Sequence, residues 1–210
     1  MKSNKPKYLI LAGFFAMAFY MAGCDNNNIS TPEKYVSYIK ENEKSFSDSV
    51  EVNGLHVFVK YLPAEYVALM GSDRETFMEN KDALIKNYLG AEYYELDLFK
   101  PDDKTSKYLK TLADSMEESA YDAYYNFSFQ NDLQLKIGNE VLPCKYLHRE
   151  ISDAITNHVK YTLAFNVPND IDSALTDRII MINSNVFKLN NLNIPITASQ
   201  IASVPQLKIK

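Results

Sequence analysis

His158-Val159-Lys160-Tyr161-Thr162-Leu163-Ala164-Phe165-Asn166-Val167 decides the fold: Val159, Tyr161, Leu163, Phe165 and Val167 recur at every second position until Pro168 stops them. Period-2 alternation is the mark of a strand with one buried face. The same pattern recurs upstream. Val57, Val59 and Tyr61 alternate with His56, Phe58 and Lys60, and Tyr94, Leu96 and Leu98 alternate with Glu95 and Asp97. Leu133, Leu135 and Ile137 lead to Gly138-Asn139, a tight-turn signal before Val141. Ile179 to Ile182 and Val186 to Ile196 add extended segments, and Tyr121, Ala123, Tyr125, Phe127 and Phe129 read as one face of a further strand.

Ahead of the dense strand region the period shifts to 3.6. Thr31-Pro32-Glu33 offers a capping hydroxyl, a proline at the first helical position and an acid at the positive end of the dipole, with Tyr35, Val36 and Ile39 on one face. Ser72 and Glu75 make a capping box before Phe77, Met78, Leu84, Ile85, Tyr88 and Leu89, and Gly90 closes that helix. A weaker helix holds Tyr108, Leu109, Leu112, Ala113 and Met116. These stripes predict a mainly β chain, an antiparallel immunoglobulin-like β-sandwich with accessory N-terminal helices. The alternative is a small α+β unit followed by a β-sandwich, with a sub-boundary near residue 118.

The first 24 residues have a separate logic. Lys2, Lys5 and Lys7 precede an uncharged run from Tyr8 to Gly23, the layout of an export signal, and the run closes on Met21-Ala22-Gly23-Cys24. That junction resembles the lipobox of bacterial lipoproteins. The resemblance covers Met1 to Cys24 and implies cleavage after residue 23, acylation of Cys24 and lipid anchoring in the cell envelope; the expected location is the outer membrane, facing the periplasm or the surface. An uncleaved anchor is the competing reading, but the run is shorter than the roughly 20 residues a span requires. The expected organisation is therefore a signal over 1–23, a lipidated cysteine and polar tether over 24–30, and one β-rich domain over 31–210.

Cleavage would remove three lysines and no acid, leaving 19 Lys and Arg against 27 Asp and Glu, a formal charge of −8. An acidic chain with scattered cations repels nucleic acid and anionic lipid. With Cys24 acylated, Cys144 is the remaining thiol, and its setting in Val141-Leu142-Pro143 predicts a small buried hydrophobe.

Chemical motifs are sparse. The chain has no Gly-rich phosphate loop, nucleophile elbow, Cys-x-x-Cys or His-Glu-x-x-His. His148 and Glu150 share a strand face and with His158 make a conceivable metal set, yet His56, His148 and His158 are scattered in the way of bridging or strand-end histidines. No metal or cofactor is expected. Asp102-Asp103 and Glu117-Glu118 match a glycosidase pair in residue type alone. Asp48-Ser49-Val50, Asp114-Ser115-Met116 and Asp172-Ser173-Ala174 resemble the Asp-Ser-aliphatic O-glycosylation site of exported proteins in Bacteroidota. The expected function is non-catalytic: an envelope lipoprotein that binds a protein or glycan partner, with tyrosines such as Tyr93 and Tyr124 available for contact. A surface hydrolase acting on glycan or peptide is the alternative, and it requires acids or histidines that converge from distant segments.

Overall fold

The structure, a computed structural model, describes residues 28–150, 157–168 and 176–208. The export signal, Cys24 and the triplet Asp172-Ser173-Ala174 lie outside the described residues. No helix among the described residues is long and apolar enough to cross a membrane.

β1 (Asn28–Ile29) leads into α1 (Pro32–Glu41), where Thr31 Oγ1 accepts from the Lys34 N–H at 3.4 Å and Tyr35 and Ile39 are buried, as the capping signal predicts. A 3-10 turn follows, then β2 (Ser47–Val52) and β3 (Leu55–Leu62). Asn53 and Gly54 join these strands with φ of 55° and 70°, the doubly left-handed pair that a two-residue hairpin requires. α2 (Ala64–Met70) precedes α3 (Arg74–Lys86). The cap of α3 is Asp73, which accepts from the Thr76 N–H at 2.9 Å, and not Ser72, whose hydroxyl instead donates back to the Ala68 carbonyl at 2.7 Å. Then come β4 (Ala91–Phe99), α4 (Thr105–Leu112) and α5 (Glu118–Asn126). The rest of the chain is β5 (Leu133–Ile137), β6 (Glu140–Pro143), β7 (Tyr146–Arg149), β8 (His158–Asn166), β9 (Arg178–Ser184), β10 (Leu189–Ile196), α6 (Ala198–Ala202) and β11 (Gln206–Leu207).

The expected strand over Tyr121 to Phe129 is a helix followed by a 3-10 turn. Tyr121, Tyr125 and Phe129 are spaced by four, which is two strand repeats and also about one helical turn, so their burial fits either period. Phe127 separates the two readings: an inward position for a strand, it is 72% exposed. Helix consequently claims more of the chain than a mainly β reading expects.

Two antiparallel sheets result, one ordered β2-β3-β4-β8-β7 and the other β10-β9-β5-β6. The five-stranded sheet draws three strands from before residue 118 and two from after it, and β4 pairs with β8 from Ala91↔Asn166 to Phe99↔His158. α1 precedes this sheet, whereas α2 and α3 are threaded between its strands β3 and β4, and α4 follows β4. One apolar core takes Val57, Val59, Leu96, Leu98, Tyr161 and Leu163 from the five-stranded sheet and Leu135, Ile180, Ile182 and Ile194 from the other, together with Leu109, Tyr125 and Phe129. Inside it, Arg178 of β9 forms a bidentate pair with Glu92 of β4, at 2.6 Å and 3.2 Å, which ties the sheets together through charge as well as packing. A smaller core of Tyr35, Ile39, Phe46, Ala68, Leu69, Phe77 and Leu207 joins α1, α2 and α3. Ile29 belongs to this assembly: β1 pairs in parallel with β11, and the Lys208 N–H reaches the Ile29 carbonyl at 2.9 Å.

Candidate cleft on the five-stranded sheet

Val57 and Val59 of β3, Leu96 and Leu98 of β4, and Val159, Tyr161 and Leu163 of β8 are buried inward, so the residues between them, mostly polar, form a lattice on the outer face. Strand register writes that lattice in three rows. Ser49, Phe58, Asp97 and Lys160 lie side by side; Glu51, His56, Phe99 and His158 flank them on one side, and Ser47, Lys60, Glu95, Thr162 and His148 on the other. A cleft of about 820 Å³ opens over these rows, with Glu43 and Lys44 of the 3-10 turn on its rim.

The floor is a continuous chain of charge. Lys60 Nζ stands 3.0 Å from Glu95 Oε1 and 3.5 Å from Glu43 Oε2, and Lys160 Nζ lies 3.1 Å from the same Glu95 oxygen and 3.7 Å from Asp97 Oδ2. His158 Nδ1 completes it at 2.9 Å and 2.8 Å from the two Asp97 oxygens. Lys60, Glu95 and Asp97 have side chains only 6%, 12% and 11% exposed, so each would be costly to bury alone. Burial pushes the Glu95 carboxyl up, but the Lys60 and Lys160 ammoniums outweigh it and hold Glu95 below the usual carboxylate range. Asp97 moves the other way, because its burial is only partly offset by Lys160 and His158. Burial lowers Lys160, and its two carboxylates more than restore it. The Tyr66 phenol of α2 is raised by burial and then by Glu95 and Glu150.

Aromatic rings set the cleft's edge. Phe99 stacks on His158 at 4.5 Å with 10° between planes and meets His56 at 6.1 Å from the other side. His56 in turn lies 3.7 Å from Glu51.

The residues singled out from sequence disperse differently. His56 and His158 line the cleft. His148 does share the outer face of β7, but it sits opposite Thr162, and the Glu150 N–H bonds the Lys160 carbonyl, so neither joins His158 in a ligand set. No group of three or more His, Cys, Asp or Glu among the described residues could hold a metal ion. Asp102-Asp103 occupies a turn with Asp102 exposed, and Glu117-Glu118 is exposed at the start of α5, where Glu118 pairs with Lys110 at 2.8 Å. Cys144 is buried, its thiol pushed up to about 11 by burial while it donates to the Tyr146 carbonyl at 3.0 Å. Ser49 is exposed on β2 and Ser115 in the turn before α5. Tyr93 and Tyr124 are only part-exposed: Tyr93 packs edge-on to Tyr88, and Tyr124 hydrogen-bonds Asp132 and Ser184. Sequence reasoning missed Lys60, Glu95, Asp97 and Lys160, although each is the polar partner of an alternation it used.

Chemically, a histidine held by a carboxylate is the base half of a nucleophilic site. The hydroxyl lining this cleft, Ser49, lies three strands from His158. At about 4.8 Å per strand that is roughly 14 Å, far beyond hydrogen-bond reach. No family model, curated protein or solved structure matches the chain.

Proposed function

We propose that the protein is a membrane-tethered envelope lipoprotein, anchored through Cys24, that binds a protein or glycan partner in the cleft of the five-stranded sheet without chemical turnover. The observation that supports this is the run of ion pairs Lys60–Glu95–Lys160–Asp97, in which each charge has an opposite neighbour and Asp97 also meets the His158 ring nitrogen. Side chains already held in ion pairs lose less freedom when a partner docks, which favours binding to such a floor. The two sheets contribute to one core, which supports a β-sandwich as the finer description of the fold, with an immunoglobulin-like strand arrangement as its specific form.

A hydrolase is the second reading, favoured by one observation: Asp97 and His158, 61 residues apart in sequence, converge in a cleft. Detergent-solubilised full-length protein offered a library of chromogenic glycosides and peptides separates the two. The binding reading expects no turnover above that of His158→Ala. Turnover by the parent chain that disappears in His158→Ala, at unchanged melting temperature, would establish the hydrolase.

A further inference from the structure

The outer face of the four-stranded sheet holds a second concavity, of about 220 Å³, whose chemistry is unlike the cleft's. Its wall is made of carboxamides: Asn131, Gln134, Asn183, Asn191 and Asn193, with Asp132 as the one ionisable side chain. Register explains the gathering. Gln134, Met181 and Asn193 stand opposite one another on β5, β9 and β10, so a thioether lies between two amides. Asn183 follows two residues after Met181, on the same face.

Asn191 arrives by a different device. The β9–β10 register shifts between Leu189 and Leu192, and within that irregularity Asn191 takes a φ of 55°. Bulges re-aim side chains, and asparagine tolerates the left-handed region better than most residues. The Asn191 N–H then points to Asn183 Oδ1 at 3.4 Å, and Asn193 Nδ2 to the Asn191 carbonyl at 3.3 Å. Both distances exceed the usual range for such bonds, and the side chains of Asn131 and Gln134 make no hydrogen bond among the described residues. Each carboxamide has two donors and an oxygen with two lone pairs, so most of this capacity faces solvent unused.

Asp132 is held in place from below. Its Oδ2 accepts a short bond from the Tyr124 phenol, which also meets Ser184 Oγ at 2.6 Å. Burial and the Asp132 bond push Tyr124 well up, so it remains a donor and leaves the other carboxylate oxygen for a ligand.

We propose that this concavity binds one uncharged sugar residue of a glycan. Vicinal hydroxyls each donate and accept, which is what paired carboxamides supply, and Met181 and Leu192 offer apolar surface for the C–H face of a ring. An anion would meet Asp132 with no compensating cation in the wall. The concavity, about 220 Å³, has room for a single sugar ring. This site is independent of the cleft, since it lies on the other sheet.

The test is ligand-observed NMR on detergent-solubilised full-length protein with glucose, galactose, mannose, N-acetylglucosamine and, as the anionic control, glucuronate. Saturable binding of at least one neutral sugar is expected, weakened about tenfold or more in Asn183→Ala/Asn193→Ala and in Gln134→Leu, and unchanged in Lys160→Met of the cleft. All four substitutions, in three variants, are on outward-facing residues, and the melting temperature reports folding of each variant. No binding by any neutral sugar, tighter binding of glucuronate, or loss in Lys160→Met with retention in the amide variants would overturn the proposal.

Discussion

Asp97 of β4 and His158 of the adjacent β8 meet diagonally on the outer face of the five-stranded sheet, with imidazole Nδ1 within 2.9 Å of both carboxylate oxygens and the ring packed flat on Phe99. The pair ends a chain of charge that begins at Lys60 and runs along the cleft floor. Its two acids are displaced in opposite directions, and that gives them opposite effects on stability.

Glu95 is lowered in the folded state, so it contributes stability above its unfolded pKa of about 4.3, lost as pH falls through the folded value. Asp97 is raised, so from about pH 3.9 upward its ionisation costs stability until its folded value is passed. In melts across acid pH, Glu95→Gln should flatten the decline below about pH 4.3, and Asp97→Asn should remove a downward slope just above about pH 3.9. At neutral pH Glu95→Gln should cost about 3 kcal/mol, the low end for breaking a buried pair, because Lys60 keeps Glu43 at 3.5 Å. A neutral effect at both pH values would mean the charge chain does not form.

Phe165 is fully buried and Phe127 is 72% exposed. Phe165→Ala should cost about 3 to 5 kcal/mol in denaturant unfolding, and Phe127→Ser less than about 0.5 kcal/mol. A large cost at Phe127 would restore the strand reading of Tyr121 to Phe129.

Gly54 takes φ of 70° in the β2–β3 turn, and its carbonyl accepts from Lys100 Nζ at 3.0 Å. A Cβ there meets Lys100 Nζ and occupies the left-handed region, so Gly54→Ala should destabilise by about 1 to 2 kcal/mol. Gly90 has φ of 88° with nothing near a new Cβ, so Gly90→Ala should show the conformational cost without the displaced lysine.

Cys24→Ser should lose its acyl mass and move from the detergent to the aqueous phase on partitioning. An unchanged mass and unchanged membrane association would refute the lipoprotein reading.

Much of the fold was legible because local periods were unambiguous. Val57/Val59, Leu96/Leu98 and Leu163/Phe165 all lie inward, and Thr31-Pro32 starts α1 as its chemistry dictates. Where two periods coincide, as at Tyr121, Tyr125 and Phe129, tertiary packing decided. The β2–β3 hairpin is encoded locally too, in Asn53-Gly54. The cleft was not legible for a different reason. Lys60, Glu95 and Lys160 meet across 35 and 65 residues of sequence, and which polar positions become neighbours depends on strand order and register, which no local pattern encodes.

The most direct test of the cleft as the binding site is site-specific photo-cross-linking in the native envelope, with the photoreactive residue placed at His56 on the cleft or at Glu140 on the other sheet. The account predicts a discrete adduct of defined mass from position 56, absent from position 140 and abolished by Lys160→Glu. Adducts of equal yield from both positions, or none from position 56 in correctly anchored protein, would contradict it.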